Sequence, residues 1–409
     1  MASLQALPQE LITRIVAFLD HEPPSMSRLQ DTPTTPKPVR CPDVPHLLQR
    51  PPFVTIDEPP LKALSRVCKW LRQSVFSQLF RHIQVDIIKN PLDLHILLPT
   101  RDIAPKVESA LIVASYFDGR DHVDSDSPMH GVAWEACLKV LRWFNMSILT
   151  LALPPAVIGS LVARSIDQRQ AWAFQIPFQV LRLEWRQDTL AYSNAETNQS
   201  IHFGNPIKPC RPSPEINILN LRPWTDLTFN AGSSVPAYSN YEHFQLVHPN
   251  WLGDSNTNLT TSSSNNAYGF KDVIHRHLRD IVCFTFVGVF PYGNIIIELS
   301  QTLQSLASMK ILRLRLLPIP SRQGRLEGYD FGRAETQDLW QEFGDALDHF
   351  EETNFIVKSQ LREIHLLDYT NSDPIADIID EHTDAMEDSG WENQGSGIWT
   401  RDLDAFSMS

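Results

Sequence analysis

Cysteine is scarce in this chain and scattered where it occurs: five residues in 409, at positions 41, 68, 137, 210 and 283. Those separations suit neither a paired zinc-ligand motif nor a disulfide scaffold, so a reducing compartment, cytoplasm or nucleus, is expected. Positive charge is short as well, since 35 Lys and Arg stand against 48 Asp and Glu for a formal net charge of -13. Residues 371–409 hold ten acids against Arg401 alone and so carry -9 of that total, which leaves -4 for the rest. Neither a phosphate-binding nor an anionic-membrane surface is implied, and nucleic acid and membrane are excluded as expected partners. Long apolar runs are missing too. The one uncharged stretch of note, "IVCFTFVGVFPYGNIII" at 281–297, is broken by Pro291, Gly293 and Asn294 after a strand's length, well short of the ~20 residues a bilayer helix needs. It reads as strand, turn and helix start. The N-terminus has no basic lead followed by an uncharged apolar run, and the N-x-S/T triplets at Asn145, Asn198 and Asn258 read as chance.

Catalytic signatures are equally wanting. The chain has no G-x-S-x-G elbow, no phosphate-cradling G-x-x-x-x-G-K-[ST], no dinucleotide G-x-G-x-x-G after a strand and no H-E-x-x-H. His275 and His277 in "VIHRHL" have no carboxylate or cysteine at ligand spacing, and Cys68 reads as a small hydrophobe on an apolar helix face rather than as a reactive thiol. No catalytic residue, cofactor or metal is expected, and the chain reads as a non-enzyme.

What the chain does have is core-forming material, 42% hydrophobic with 9% aromatics. "LPQELITRIVAFLD" at 7–20 starts as a helix should, with Pro8 in a tolerated position and Glu10 in the first turn, where the helix dipole favours an acid. Its apolar positions, Leu11, Ile12, Ile15, Val16, Phe18 and Leu19, spread beyond one stripe. Residues 21–60 then carry eleven prolines in forty positions, which forbids regular structure and marks an inserted loop. Two Thr-Pro pairs at Thr32 and Thr35 within it are candidate sites for a proline-directed kinase. Helical periodicity resumes over 61–80, with Leu61, Leu64, Val67, Cys68, Leu71, Val75 and Leu79 on the apolar face. Three short helices are too small a core to stand alone without a staple, so a second protein is expected to supply the missing hydrophobic wall.

"LPQELITRIVAFLD" followed by "LKALSRVCKWLRQSVFSQLFR" resembles the F-box, the motif that docks onto the Skp adaptor of cullin-based ubiquitin ligases. The resemblance spans about 35 residues and implies adaptor contacts through Leu7, Pro8, Glu10, Leu11, Ile15, Leu19, Leu64, Val67, Cys68, Lys69 and Trp70. It also implies a Skp-type adaptor and a cullin as partners, with the remainder of the chain reading a target protein.

From Phe80 the rhythm becomes apolar-x-x-apolar-x-apolar: "FRHIQV" (80–85), "MSILTL" (146–151), "FQVLRL" (178–183), "INILNL" (216–221), "IVCFTF" (281–286), "MKILRL" (309–314) and "LREIHL" (361–366). Candidate helices fall between them at 134–144, 156–174, 295–307 and 336–350. The expected fold class is α+β or an α/β repeat. It comprises a three-helix N-terminal unit over 1–85, an irregular leucine-rich-repeat-like solenoid with long loops over 86–370, and a disordered acidic tail over 371–409. Residues 187–215 and 225–270 read as polar insertions, in which Trp224, Tyr238, Tyr241, Phe244 and Trp251 are either interface anchors or, by preference, local packing. Two other functional classes stay open: a repeat scaffold whose first helices pack internally, and an enzyme whose site is assembled from distant residues.

Overall fold

A computed structural model of the chain describes residues 8–19, 60–88, 103–114, 127–174, 176, 178–186, 212, 216–239, 246–252, 278–289, 293–304, 306, 308–317, 341, 344–348, 360–368, 386–387 and 389–402. The insert at 21–59, both Thr-Pro pairs, His275, His277, Tyr241 and Phe244 lie outside them.

Three helices come first. In α1 (Gln9–Leu19) the Pro8 carbonyl accepts the N–H groups of Leu11 and Ile12 at 3.1 and 3.3 Å, closing the opening turn. α2 (Pro60–Val67) begins on a proline, whose missing N–H costs nothing there. α3 (Lys69–Leu79) is capped by Cys68, whose Sγ accepts the Leu71 N–H at 3.5 Å. Ile12, Val16, Leu61 and Val75 form a small core between these helices, with Leu19, Leu64, Trp70 and Leu79 packed against it. That core is separate from the main one.

Ten strands among the described residues form one open sheet: β1 (His82–Asp86), β2 (Ser109–Val113), β3 (Ile148–Leu153), β4 (Gln179–Glu184), β5 (Asp226–Ser233), β6 (Cys283–Val289), β7 (Ile311–Arg315), β8 (Glu363–Leu366), β9 (Glu392–Gly395) and β10 (Ile398–Thr400). Up to β8 the spatial order is the chain order, and the sheet then ends in β10 and β9. Neighbours pair in parallel except around β4, which is antiparallel to both β3 and β5, and in the terminal hairpin. The protein is thus mixed α/β.

Period-2 alternation gives this sheet two unlike faces. On one, Ile83, Ala110, Leu149, Leu183, Leu227, Phe284, Leu312, Ile364 and Trp399 run in register across nine strands, all buried. They share the main core with α4 (Pro128–Trp143), α5 (Pro155–Leu161), α6 (Ala171–Phe174) and α7 (Gly293–Leu303). On the other face the equivalent row reads Gln84, Leu111, Thr150, Arg182, Thr228, Thr285, Arg313, His365 and Ile398. No helix among the described residues is long and apolar enough to cross a membrane.

Six of the seven expected strands lie on or within a residue or two of real ones, and four expectations need correction. Residues 216–221 are not a strand. Asn217 Oδ1 accepts the Leu219 N–H and Asn220 Oδ1 the Asn217 N–H, both at 2.9 Å, so a 3-10 turn forms at Ile218–Asn220. The expected polar insertion at 225–270 contains β5, and Trp224, Tyr238 and Trp251 are buried in the core. The expected helix at 156–174 stops at Leu161 and restarts at Ala171, after Ala163 takes a φ of 58°. Lastly, the stretch expected to be a solvated tail supplies β9 and β10. Ser396 and Gly397, both at positive φ, make the tight turn, and Trp391 and Trp399 bury themselves. Arg401 sits over the Trp391 ring at 4.6 Å and donates to the Leu361 carbonyl at 3.4 Å, so the one base in that stretch pins the hairpin to the sheet.

Candidate functional site

The small helical core uses α1 on one side only. Ile12 and Val16, four apart, turn inward, while Leu11 and Ile15, also four apart, face out. They are 44% and 41% exposed, and Val67 at the end of α2 is 66% exposed. Monomeric surfaces carry scattered apolar residues routinely, but these two sit side by side on one helix face over a small core.

The candidate adaptor residues fall into three groups. Pro8, Glu10, Leu11, Ile15, Val67 and Lys69 are exposed. Leu19, Leu64, Cys68 and Trp70 are half-buried, and Leu19, Leu64 and Trp70 contribute to the helical core. Leu7 lies outside the described residues. Arg72 ties α2 to α3, its Nε donating to the Ser65 carbonyl at 3.1 Å, and Ser65 Oγ donates to the Lys62 carbonyl at 2.7 Å. The α2–α3 corner that presents Val67 and Lys69 is therefore held by hydrogen bonds. α3 runs directly into β1, where Phe76 stacks edge-on to Phe80 at 4.9 Å and Lys106 lies 4.4 Å over the Phe76 ring.

Burial pushes the Cys137 thiol far up and the Cys283 thiol to about 11, so both stay protonated at neutral pH. His248, buried edge-on against Phe174 at 4.8 Å, is pushed down to about 3 by desolvation. Asp368 is raised to about 7 by burial, although its carboxylate accepts the N–H groups of Leu316 and Leu317 at 2.5 and 3.2 Å. Among the described residues no group of three or more His, Cys, Asp or Glu could hold a metal ion.

Sequence reasoning did not find the polar sheet face. There Arg182 Nε meets Glu184 Oε1 at 2.8 Å, Arg186 Nη2 meets Asp226 Oδ1 at 2.7 Å, and His365 Nε2 meets Glu363 Oε2 at 3.0 Å. The signal was available in the polar letters between the leucines of "LRLE", "ILRLR" and "EIHL". Comparison of the chain with protein-family models, curated proteins and solved structures finds no match in any of the three.

Proposed function

We propose that this chain is the substrate-receptor subunit of a cullin-based ubiquitin ligase. In this reading α1–α3 form an F-box that docks on a Skp-type adaptor, and the sheet region is an irregular leucine-rich-repeat-like solenoid that reads a target protein. The observation that carries it is the outward pair Leu11 and Ile15, with Val67, over a small core in which Ile12, Val16, Leu61 and Val75 are the clustered buried residues among those described. Such a face loses apolar surface to water only by meeting a partner. The chain-order sheet, one strand per unit with helices between most of them, supports the repeat reading, and antiparallel β4 is its irregularity. The receptor has no chemistry of its own. It works by holding a target lysine near a charged ubiquitin-conjugating enzyme, so that a rare encounter becomes frequent.

The test is co-purification of the full chain with a Skp-type adaptor. Leu11→Ser combined with Ile15→Ser, both largely exposed, leaves the melting temperature within a few degrees and weakens adaptor binding by roughly tenfold or more. Absence of adaptor binding by the native chain overturns the reading in favour of a scaffold outside any ligase.

A further inference from the structure

The polar face of the sheet leaves two guanidinium groups without a hydrogen-bond acceptor among the described residues. Glu184, Asp226 and Glu363 on that face are each met by a basic side chain, namely Arg182, Arg186 and His365. Two guanidinium groups on the neighbouring strand, Arg313 and Arg315, have no hydrogen bond or ion pair with any described residue. Both are half-buried, and both project from the same side of β7 because they are two residues apart. Asp368, beyond the end of β8, feels the charge of Arg315 but spends its two oxygens on the backbone N–H groups of Leu316 and Leu317 rather than on a guanidinium. A half-buried guanidinium with no acceptor in contact leaves its N–H donors unmet, so two side by side mark a surface completed by something that accepts hydrogen bonds, and a carboxylate does so as a fork.

Register adds shape to that charge. Arg313 lies directly opposite Thr285 on β6 and His365 on β8, and Thr285 opposite Thr228 on β5. At ~4.8 Å between strands, hydroxyl, hydroxyl, guanidinium and imidazole form a row about 15 Å long. Along β7 the two arginines stand ~7 Å apart, which is also the separation of alternate side chains on an extended peptide. Each guanidinium can fork one carboxylate.

We propose that the polar face over β6–β8 takes an extended acidic segment of a partner polypeptide, with carboxylates two residues apart held by Arg313 and Arg315. A nucleic-acid strand fits the same face less well, because its continuous run of phosphates would meet Glu184, Asp226 and Glu363 as well as the arginines. The proposal stands whether or not the chain enters a ligase, so its failure and the failure of adaptor docking are separate results.

The experiment is fluorescence anisotropy of a labelled peptide of alternating Glu and Ala, titrated with the full chain at low salt. Saturable binding is expected, weakening as salt screens it. Arg313→Gln with Arg315→Gln is expected to lower affinity by roughly tenfold or more while adaptor co-purification is unchanged. Should that variant melt before assay, Arg313→Lys with Arg315→Lys keeps both charges but loses the fork, and several-fold weaker binding is expected. No binding by the native chain, equal binding by the variants, equal binding of an alternating Lys and Ala peptide, or tighter binding of a single-stranded oligonucleotide through the same arginines overturns it.

Discussion

Asp368 and His248 are both buried titratable groups, yet they bias stability in opposite directions. Asp368 holds its proton to about pH 7 in the folded chain, whereas unfolded it loses it near the usual carboxylate value. The native state therefore binds more protons between about pH 4 and 7, and this residue makes stability fall as pH rises through that window. His248 is neutral in the folded chain down to about pH 3, while the unfolded chain protonates it near 6.5. Here the unfolded state binds more protons, so its contribution is present above 6.5 and is lost on acidification toward 3. Between about pH 4 and 6.5 the two slopes oppose each other. Thermal melts across that range should be flatter for the native chain than for either variant: Asp368→Asn leaves the His248 slope, with stability rising with pH, and His248→Phe leaves the Asp368 slope, falling with pH. Each effect amounts to a few kcal/mol at most. Parallel melting curves for all three proteins would show that neither group titrates in this way.

Among the elements, the C-terminal hairpin depends most on contacts with residues distant in sequence. β10 pairs with β8 through Trp399 opposite Ile364, and both side chains belong to the main core. Without the hairpin, β8 would present an unpaired edge, the kind of surface that recruits other chains. Trp399→Ala is expected to cost about 3–5 kcal/mol, the range for emptying a large buried aromatic. Urea titration followed by tryptophan fluorescence measures it, and a loss below about 1 kcal/mol would mean the hairpin is an ornament on the sheet. Arg222 does comparable work for α4, donating to the carbonyls of Leu141 and Phe144 at 3.0 and 2.9 Å and to that of Met146. Two carbonyls at the end of α4, those of Leu141 and the capping residue Phe144, and that of Met146 just beyond it are met by one side chain brought from 76 or more residues away.

Across the whole molecule, two cores of very unequal size share one chain. Among the described residues the helical unit has five buried apolar side chains, Ile12, Val16, Leu61, Leu71 and Val75, too few to match the sheet domain in resistance to opening. Amide hydrogen exchange should show α1–α3 opening at far lower free energy than β3–β7. A bound adaptor at a hundred times its dissociation constant should protect the helices by about 2.7 kcal/mol and leave the sheet almost unchanged. Equal protection of both regions without adaptor would mean that the helices are already closed internally and that Leu11 and Ile15 have no wall to meet.

Local pattern determined a good deal by itself. Leucine spacing in "ILTL", "QVLRL" and "ILRLR" marked β3, β4 and β7, and proline and glycine marked where 281–297 would break, because period-2 burial and backbone restriction act within a few residues. The clean alternation of Asp226, Leu227, Thr228, Phe229 and Asn230 was equally legible, but lay in surroundings so rich in Ser, Asn and Thr that composition outweighed it. Outward placement of Leu11 and Ile15 could be inferred from an apolar stripe too wide for one partner. Tertiary structure alone decided that an acidic terminal stretch would close the sheet, since Trp391 and Trp399 find their hydrophobic surroundings only after β8 is in place. It alone set Arg313 beside His365 and Thr285, residues that chain spacing separates by 52 and 28 positions. Strand register is a long-range quantity, fixed by the buried row on the far side of the sheet, and the chemistry of the polar face follows from it.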